Sequence, residues 1–465
     1  METSVNPPDK IENELTEGKI YPALVKFTIP MLLAMFLQAL YSGIDLLIVG
    51  RYAETADVSG VATGSMLMMT ATFTICSLAI GVTILVGRKV GQKRPKQVGM
   101  VIGNGIVLFG IIAILMTTIT VWKSDYLSEL MHTPKEAFAQ TEDYIRICGW
   151  GTVFVLAYNL LGGILRGLGD SKTPLLTVAI ATIINIIGDY VLISYFNMGA
   201  KGAAFATIFA QAISVLITIL IIKNRKNLPL IFSLKNIEFN KKIISMIILL
   251  GIPIALQDLL VGLSFMVIQV LVNSIDLVSS AGVGIGEKIC HFIMLVPAAF
   301  SQALGTFVSQ NIGAKRIDRI IKALWYGIYT SVAVGVIMGY ITLFHGDLLC
   351  SFFTEKKEVI IAAHSYLKAY SIDCILTPFL FCFLGYYVGY GKTFFLMIQG
   401  IFGAICIRIP FAYFASLSPD ATLFQIALAT PVATSIQIIF CLLYFVRNKK
   451  KVSTMIQIEQ KKLNN

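Results

Sequence analysis

Long apolar runs separated by short polar stretches set the pattern of this 465-residue chain. They fall near 20–50, 61–87, 98–122, 137–165, 173–195, 200–222, 243–272, 280–309, 320–345, 358–388, 393–416 and 422–446. A membrane-spanning strand is about 10 residues long and alternates in polarity. These runs each exceed 20 residues without alternation. At about 1.5 Å of rise per residue, each is a helix long enough to cross a hydrocarbon core roughly 30 Å thick. The pattern predicts an all-α membrane protein of twelve transmembrane helices.

Composition agrees. Hydrophobic residues make up 56% and charged residues 14%, against about 25% charged in soluble domains; mean hydropathy is +0.79. Little chain is left for a soluble catalytic domain, so no enzyme is expected. Four His and eight Cys lie singly along the sequence, without zinc-type spacing or a disulfide framework.

The net charge of +11 would suggest nucleic acid in a soluble protein, but here the basic residues lie in the loops. Sorted by side, one alternate set of polar stretches, with Lys26 near the start of the first span, holds 27 Lys and Arg and the other 6. That asymmetry places both termini in the cytoplasm of a multi-pass protein of the cell membrane. Residues 1–19 lack the cationic start, short apolar run and cleavage site of a signal peptide, so none is expected.

The longest internal basic loop, 223–242, falls near the midpoint. The sequence repeats across it. FTIPMLLAMFLQ (27–38) and VGRKVGQKRPKQ (86–97) have counterparts in LGIPIALQDLL (250–260) and VSQNIGAKRIDR (308–319), and GLGDSKTPLL (167–176) has one in VGYGKTFFL (388–396). Pro30 pairs with Pro253, Gly91 with Gly313 and Lys172 with Lys392. The expected organisation is a cytoplasmic segment 1–19, an N-lobe of six helices (20–222), a linker (223–242), a C-lobe (243–446) and a basic cytoplasmic tail (447–465). Parallel repeats of this kind are a transporter architecture, with the substrate path expected between them around a central cavity.

At this level of detail the chain resembles the multidrug and toxic compound extrusion (MATE) transporters, part of a superfamily that also holds lipid-linked saccharide flippases. The resemblance spans residues 17 to 446. It is carried by Ile29, Pro30, Gln38, Tyr41, Asp45 and Gly50, the two G.KR loops, RGLGDSKTP (166–174), NIIGDYVLI with MGAKGAAFAT (185–207), and SQNIGAKR (309–316). It implies an antiporter that exports small organic, cationic and amphipathic compounds by alternating access in exchange for Na⁺ or H⁺. The alternative is a lipid-linked saccharide or lipid flippase.

An acid near the bilayer centre costs about 2.5–3.5 kcal/mol on insertion scales, so each one inside a span needs a reason. The expected topology puts Asp45, Asp189 and Thr207 at one depth in the outer leaflet. Asn185 and Asp189 share a helix face at i and i+4, and Gln38, Tyr41 and Asp45 form a stripe on the first helix. Two carboxylates with amide and hydroxyl oxygens suit a hard monovalent cation or a shared proton. The competing reading is a set of hydrogen bonds that locks the bundle. The resemblance implies that Asp45, Asn185, Asp189 and Thr207 line a first-lobe cation site, with Na⁺ a possible occupant.

In the second lobe Asp258, Asp373 and Arg408 lie deep in their spans. An ion pair with Arg408, and a second ion site or anionic patch, both remain open. The Glu that some family members carry eight residues beyond the helix 7 proline is Val261 here. Gln257, Gln269, Asn273 and Gln302 are candidate cavity residues, and Glu287 with Lys288 reads as a rim pair. GLGDSKT (167–173) lacks the spacing of a phosphate loop. No ATP, nucleic acid or cofactor is expected beyond the coupling ion; the partners expected are a small organic substrate and membrane lipid, and the chain is expected to be a monomer.

Overall fold

The structure, a computed structural model, describes residues 15–225, 228–418 and 422–463. Residues 1–14 of the expected N-terminal segment, 226 and 227 of the linker, and the last two of the tail lie outside it.

Among the described residues, twelve helices are long and apolar enough to cross a membrane: α1 (Ile20–Tyr52), α2 (Thr55–Gly91), α3 (Pro95–Trp122), α4 (Lys135–Leu168), α5 (Lys172–Tyr195), α6 (Gly199–Asn224), α7 (Lys241–Asn273), α8 (Leu277–Gly313), α9 (Ile317–Phe344), α10 (Lys357–Tyr390), α11 (Thr393–Ser416) and α12 (Leu423–Arg447). Every apolar run of the sequence is one of them. Strands are absent among the described residues.

The chain forms two compact units, one running to Ala255 and one starting at Leu256. The division falls inside α7, two residues after Pro253.

The same devices build both units. Gly60 and Gly64 on α2 let α4 approach, and a Cβ added at either would lie 2.7 Å from Gln140 or 2.6 Å from the Tyr144 ring. In the second unit Gly282 and Gly286 on α8 face α10 in the same way, with Ala362 and the Tyr366 ring each at 2.7 Å. Gly167 against α2 and Gly389 against α8 complete the repeat. Small residues drive such contacts because lipid tails give helices no hydrophobic reason to associate, so close van der Waals approach decides. The connections repeat too. Lys93 and Lys315 both turn through positive φ, at 54° and 59°. Gly169 and Gly391 end α4 and α10 in the left-handed conformation, where glycine carries no Cβ penalty.

The linker is not a loose tether. It lies on the N-terminal turns of α3, where Gly99 faces the Ile231 carbonyl, Gly103 faces that of Asn236, and the Asn240 backbone amide donates to Asn104 Oδ1 at 2.8 Å. The start of α7 then packs on α2, with a Cβ at Gly251 placed 2.7 Å from Leu78 Cα. At the α4–α5 turn Asp170 accepts from the amides of Lys172 and Thr173, both at 3.0 Å, and pairs with Arg225 at the end of α6. At the opposite end Asp57 Oδ1 accepts from the Ala200 amide at 2.8 Å, tying α2 to α6.

Candidate functional site

Three helices of the first unit place the candidate residues. α1 carries Gln38, Tyr41 and Asp45, α5 carries Asn185 and Asp189, and α6 carries Thr207. Asn185 and Asp189 are fully buried, and Asp45 is 9% exposed. Immediately after Asp189 the backbone widens into a π-helical turn over Tyr190–Tyr195, a feature that often marks functional sites.

The structure brings the expected set together. The carboxyls of Asp45 and Asp189 lie within hydrogen-bonding reach of each other, and the Asn185 amide stands beside Asp189. The Tyr41 hydroxyl donates to Thr207 Oγ1 at 3.2 Å, joining α1 to α6. Gln38 belongs to a separate station two turns away, where its Nε2 donates to the Tyr158 hydroxyl at 3.1 Å.

The electrostatics are one-sided. Among the described residues no Lys, Arg or His acts on either acid; burial and the other carboxyl act on both, and the Asn185 amide acts on Asp189 as well. Asp45 Oδ1, both polar atoms of the Asn185 amide and both carboxyl oxygens of Asp189 are buried without a hydrogen-bond partner. Carboxylates only accept, so an ionised pair has no donor to share, whereas one proton between them supplies one. Buried polar atoms are normally satisfied, and a set of orphaned oxygens is chemically unusual. Their hardness fits a hard cation such as Na⁺ or a proton. Among the described residues no cluster of three or more His, Cys, Asp or Glu forms a transition-metal site.

Sequence reasoning missed two neighbours, Tyr144 and Cys148 on α4, whose side chains interact with Asp45. Only the repeat offered a signal, since Tyr144 and Tyr366 occupy matching places against Gly64 and Gly286.

The second-unit candidates are scattered. Asp258 is exposed, whereas Asp373 and Arg408 are buried. Asp373 Oδ2 accepts from Thr377 at 2.8 Å. Arg408 donates from Nη1 to Ser264 at 2.9 Å and covers the Phe265 ring at 4.3 Å. Gln257 packs on Gly400. Gln269 donates to Asn273 at 2.7 Å, near the α7–α8 turn. Gln302 is exposed, Glu287 is half-buried and Lys288 exposed.

The sequence profile of the MatE family matches twice, over residues 30–191 and 253–414. The chain belongs to the MatE family. The two matches are of equal length, one in each half, as the internal repeat requires. Among curated relatives, the "Probable multidrug resistance protein YoeA" of Bacillus subtilis is 25% identical, covering 98% of this chain and 100% of its own. The "Multidrug export protein MepA" of Staphylococcus aureus (strain MW2) is 22% identical over 95% and 98%. Among solved structures, the outward-facing conformation of a multidrug resistance MATE family transporter superposes with a TM-score of 0.89 at 19% identity, covering 97% of this chain and 99% of that one. The MatE chain therefore has the MATE fold and is a multi-pass membrane protein of a transporter family.

Proposed function

We propose that this MatE protein is an antiporter that exports small organic compounds, cationic and amphipathic in character, in exchange for Na⁺ or H⁺. The observation that carries the reading is the pair of buried acids, Asp45 and Asp189, brought together from α1 and α5 with no basic side chain acting on them. An uncompensated acid pair in a membrane is costly to keep. A structural lock would be served by neutral amides, whereas a pair that binds and releases a cation uses its charge. Asn185 and Thr207 complete the oxygen set. The relatives named for multidrug resistance and export support small organic substrates over lipid-linked saccharides.

The coupling works through this chain's own groups. When the cation binds, it neutralises the repulsion between the ionised carboxylates of Asp45 and Asp189 and holds α1 against α5; when it leaves, that repulsion loosens the contact. Pro30 removes a backbone donor from α1, so the helix can change its bend there at low cost. Alternating access follows if the bent and straight states of α1 open the substrate path to opposite sides. With both termini in the cytoplasm, the acid pair lies in the outer leaflet and loads from outside. One charge moving down 100 mV yields about 2.3 kcal/mol, enough at about 1.4 kcal/mol per decade for a roughly fortyfold substrate gradient. No hydrolysis is needed.

Dye efflux from cells expressing the wild type, Asp45→Asn and Asp189→Asn, with external Na⁺ and pH varied separately, tests this. Loss in both variants with dependence on one ion supports the reading and names the ion. Wild-type rates in either variant contradict it.

A further inference from the structure

The second unit departs from the repeat at one place inside its helix bundle. The register that pairs Gly64 with Gly286, Tyr144 with Tyr366 and Lys93 with Lys315 sets Pro297 on α8 opposite Ile75, Pro378 on α10 opposite Leu156, and Ser331 on α9 opposite Phe109. In the first unit Leu156 and Phe109 are buried apolar side chains, 1% and 2% exposed. The second unit has two prolines and a hydroxyl at the matching positions.

Each proline lies inside its helix and brings no backbone N–H. Pro297 therefore deprives the Ile293 carbonyl of its helical donor, and Pro378 does the same to the Cys374 carbonyl. Both prolines and both of these residues border one cavity, which Ser331 and Gly335 of α9 close from a third side. Gly335 makes room for the Cys374 carbonyl, since a Cβ there would run into that oxygen. Ser331 is 1% exposed, and its hydroxyl has no hydrogen-bond partner among the described residues. Thr330 and Thr342 of the same helix behave otherwise, each donating to the carbonyl four residues back at 2.9 Å, the usual resort of a hydroxyl inside a helix. Ser331 faces the cavity instead, and Met294, Val296, Val334 and Met338 make the rest of the wall apolar.

Room and chemistry together select the occupant. As space for water the cavity measures about 10 Å³, the room that one water needs and far below the roughly 300 Å³ at which pockets for organic ligands begin. No charged side chain borders it among the described residues, so nothing there calls for an ion. A water donates two hydrogen bonds and accepts from a hydroxyl, and this cavity offers two carbonyls and a hydroxyl. Three bonds are typical of a buried water, and in lipid the backbone groups freed by a proline are met by neighbouring hydroxyls and ordered water. We infer that the second unit binds one water here, which donates to the carbonyls of Ile293 and Cys374 and accepts from Ser331 Oγ. That water joins α8 and α10 to α9 at the two places where proline leaves their backbone ladders incomplete. The first unit, with Phe109 and Leu156 at the matching positions, has no such site.

An experimental structure of the full chain, at a resolution that shows ordered water elsewhere in it, tests this. One density peak within hydrogen-bond distance of all three oxygens is expected. No peak there, a Ser331 hydroxyl bonded directly to either carbonyl, or an acyl chain in the cavity overturns the inference. Radiolytic labelling of the full chain in detergent tests it in solution, because an X-ray pulse splits a bound water where it sits and the hydroxyl radical oxidises thioethers beside it, here Met294 and Met338. Ser331→Leu, which fills the cavity and removes the hydroxyl, is expected to cut the oxidation of both severalfold relative to that of Met266, an exposed methionine on α7. Oxidation that Ser331→Leu leaves unchanged overturns the inference as well. Should Ser331→Leu fail to yield monodisperse protein, the wild-type structure still decides.

Discussion

At the residue scale, a few side chains carry what the rest of the chain only positions. Asp45 and Asp189 are predicted to be individually indispensable, because a cation held by two carboxylates loses half its counter-charge when either becomes an amide. Each Asn variant is expected to lower ion-driven efflux by at least about tenfold, the effect of roughly 1.4 kcal/mol of lost binding, with membrane expression unchanged on immunoblots. Tyr41→Phe removes the bond to Thr207 and is expected to cost less, about 1 kcal/mol for one hydrogen bond, read as a severalfold loss in apparent ion affinity. Asp276 shows a different use of charge. It caps α8, accepting from the amide and hydroxyl of Ser279, each at 2.7 Å. Those bonds hold its carboxyl below the usual carboxylate range. A group depressed in the folded state stabilises above its unfolded value, near pH 4, and that contribution is lost as pH falls through the folded value. Asp276→Ala is therefore expected to lower the melting temperature at neutral pH by the worth of a cap, about 1 kcal/mol or less given its exposure, and to make no difference in strong acid.

The acids' partnership is legible in the sequence for a simple reason. Helical rise turns residue number into depth, and i, i+4 spacing turns it into a face, so Asp45, Asn185, Asp189 and Thr207 fall into register from their numbers alone. Tyr144 and Cys148 are not legible in this way, because an aromatic residue and a thiol in an apolar helix look the same whether they face lipid, core or a carboxyl.

At the element scale, apolar length alone locates all twelve helices, since only a helix satisfies its own backbone in lipid. How those helices touch is hidden. A glycine in a membrane helix is compatible with a contact, a kink or nothing, and only the structure separates Gly64, pressed on a tyrosine ring, from Gly110, which faces open space. The linker is the sharpest case. Its basic composition predicts a cytoplasmic loop, but its docking on α3 rests on carbonyls meeting Gly99 and Gly103, which no side-chain pattern announces. Gly103→Val is expected to push the linker off α3 and to cost about 1–3 kcal/mol as an overpacked contact, seen as a lower melting temperature in detergent. Gly110→Val is the control and is expected to change little. The π-helical turn after Asp189 is also invisible in the sequence, for α5 has no proline there to mark it, whereas in α11 Pro410 withholds a backbone donor beside Arg408.

At the scale of the whole molecule, duplication explains both the likeness and the asymmetry of the halves. Glycine contacts, left-handed caps and positive-φ lysines recur because they are needed to build the six-helix unit. Charge does not recur, and the unit with the acid pair is the one assigned to coupling. The excess of Lys and Arg in one set of loops predicts cytoplasmic termini. A green fluorescent protein fused after Asn465 is expected to fluoresce, and an alkaline phosphatase fused there to be inactive; the reverse would turn the molecule over and place the acid pair in the inner leaflet.

The central claim is that the acid pair of the first unit couples an ion to export. Dye efflux measured for the wild type, Asp45→Asn and Asp189→Asn, with external Na⁺ and pH varied independently, tests it most directly. Wild-type efflux is expected to follow one of the two ions and to be lost in both variants. Efflux at the wild-type rate in either variant, with the same ion dependence, would contradict it.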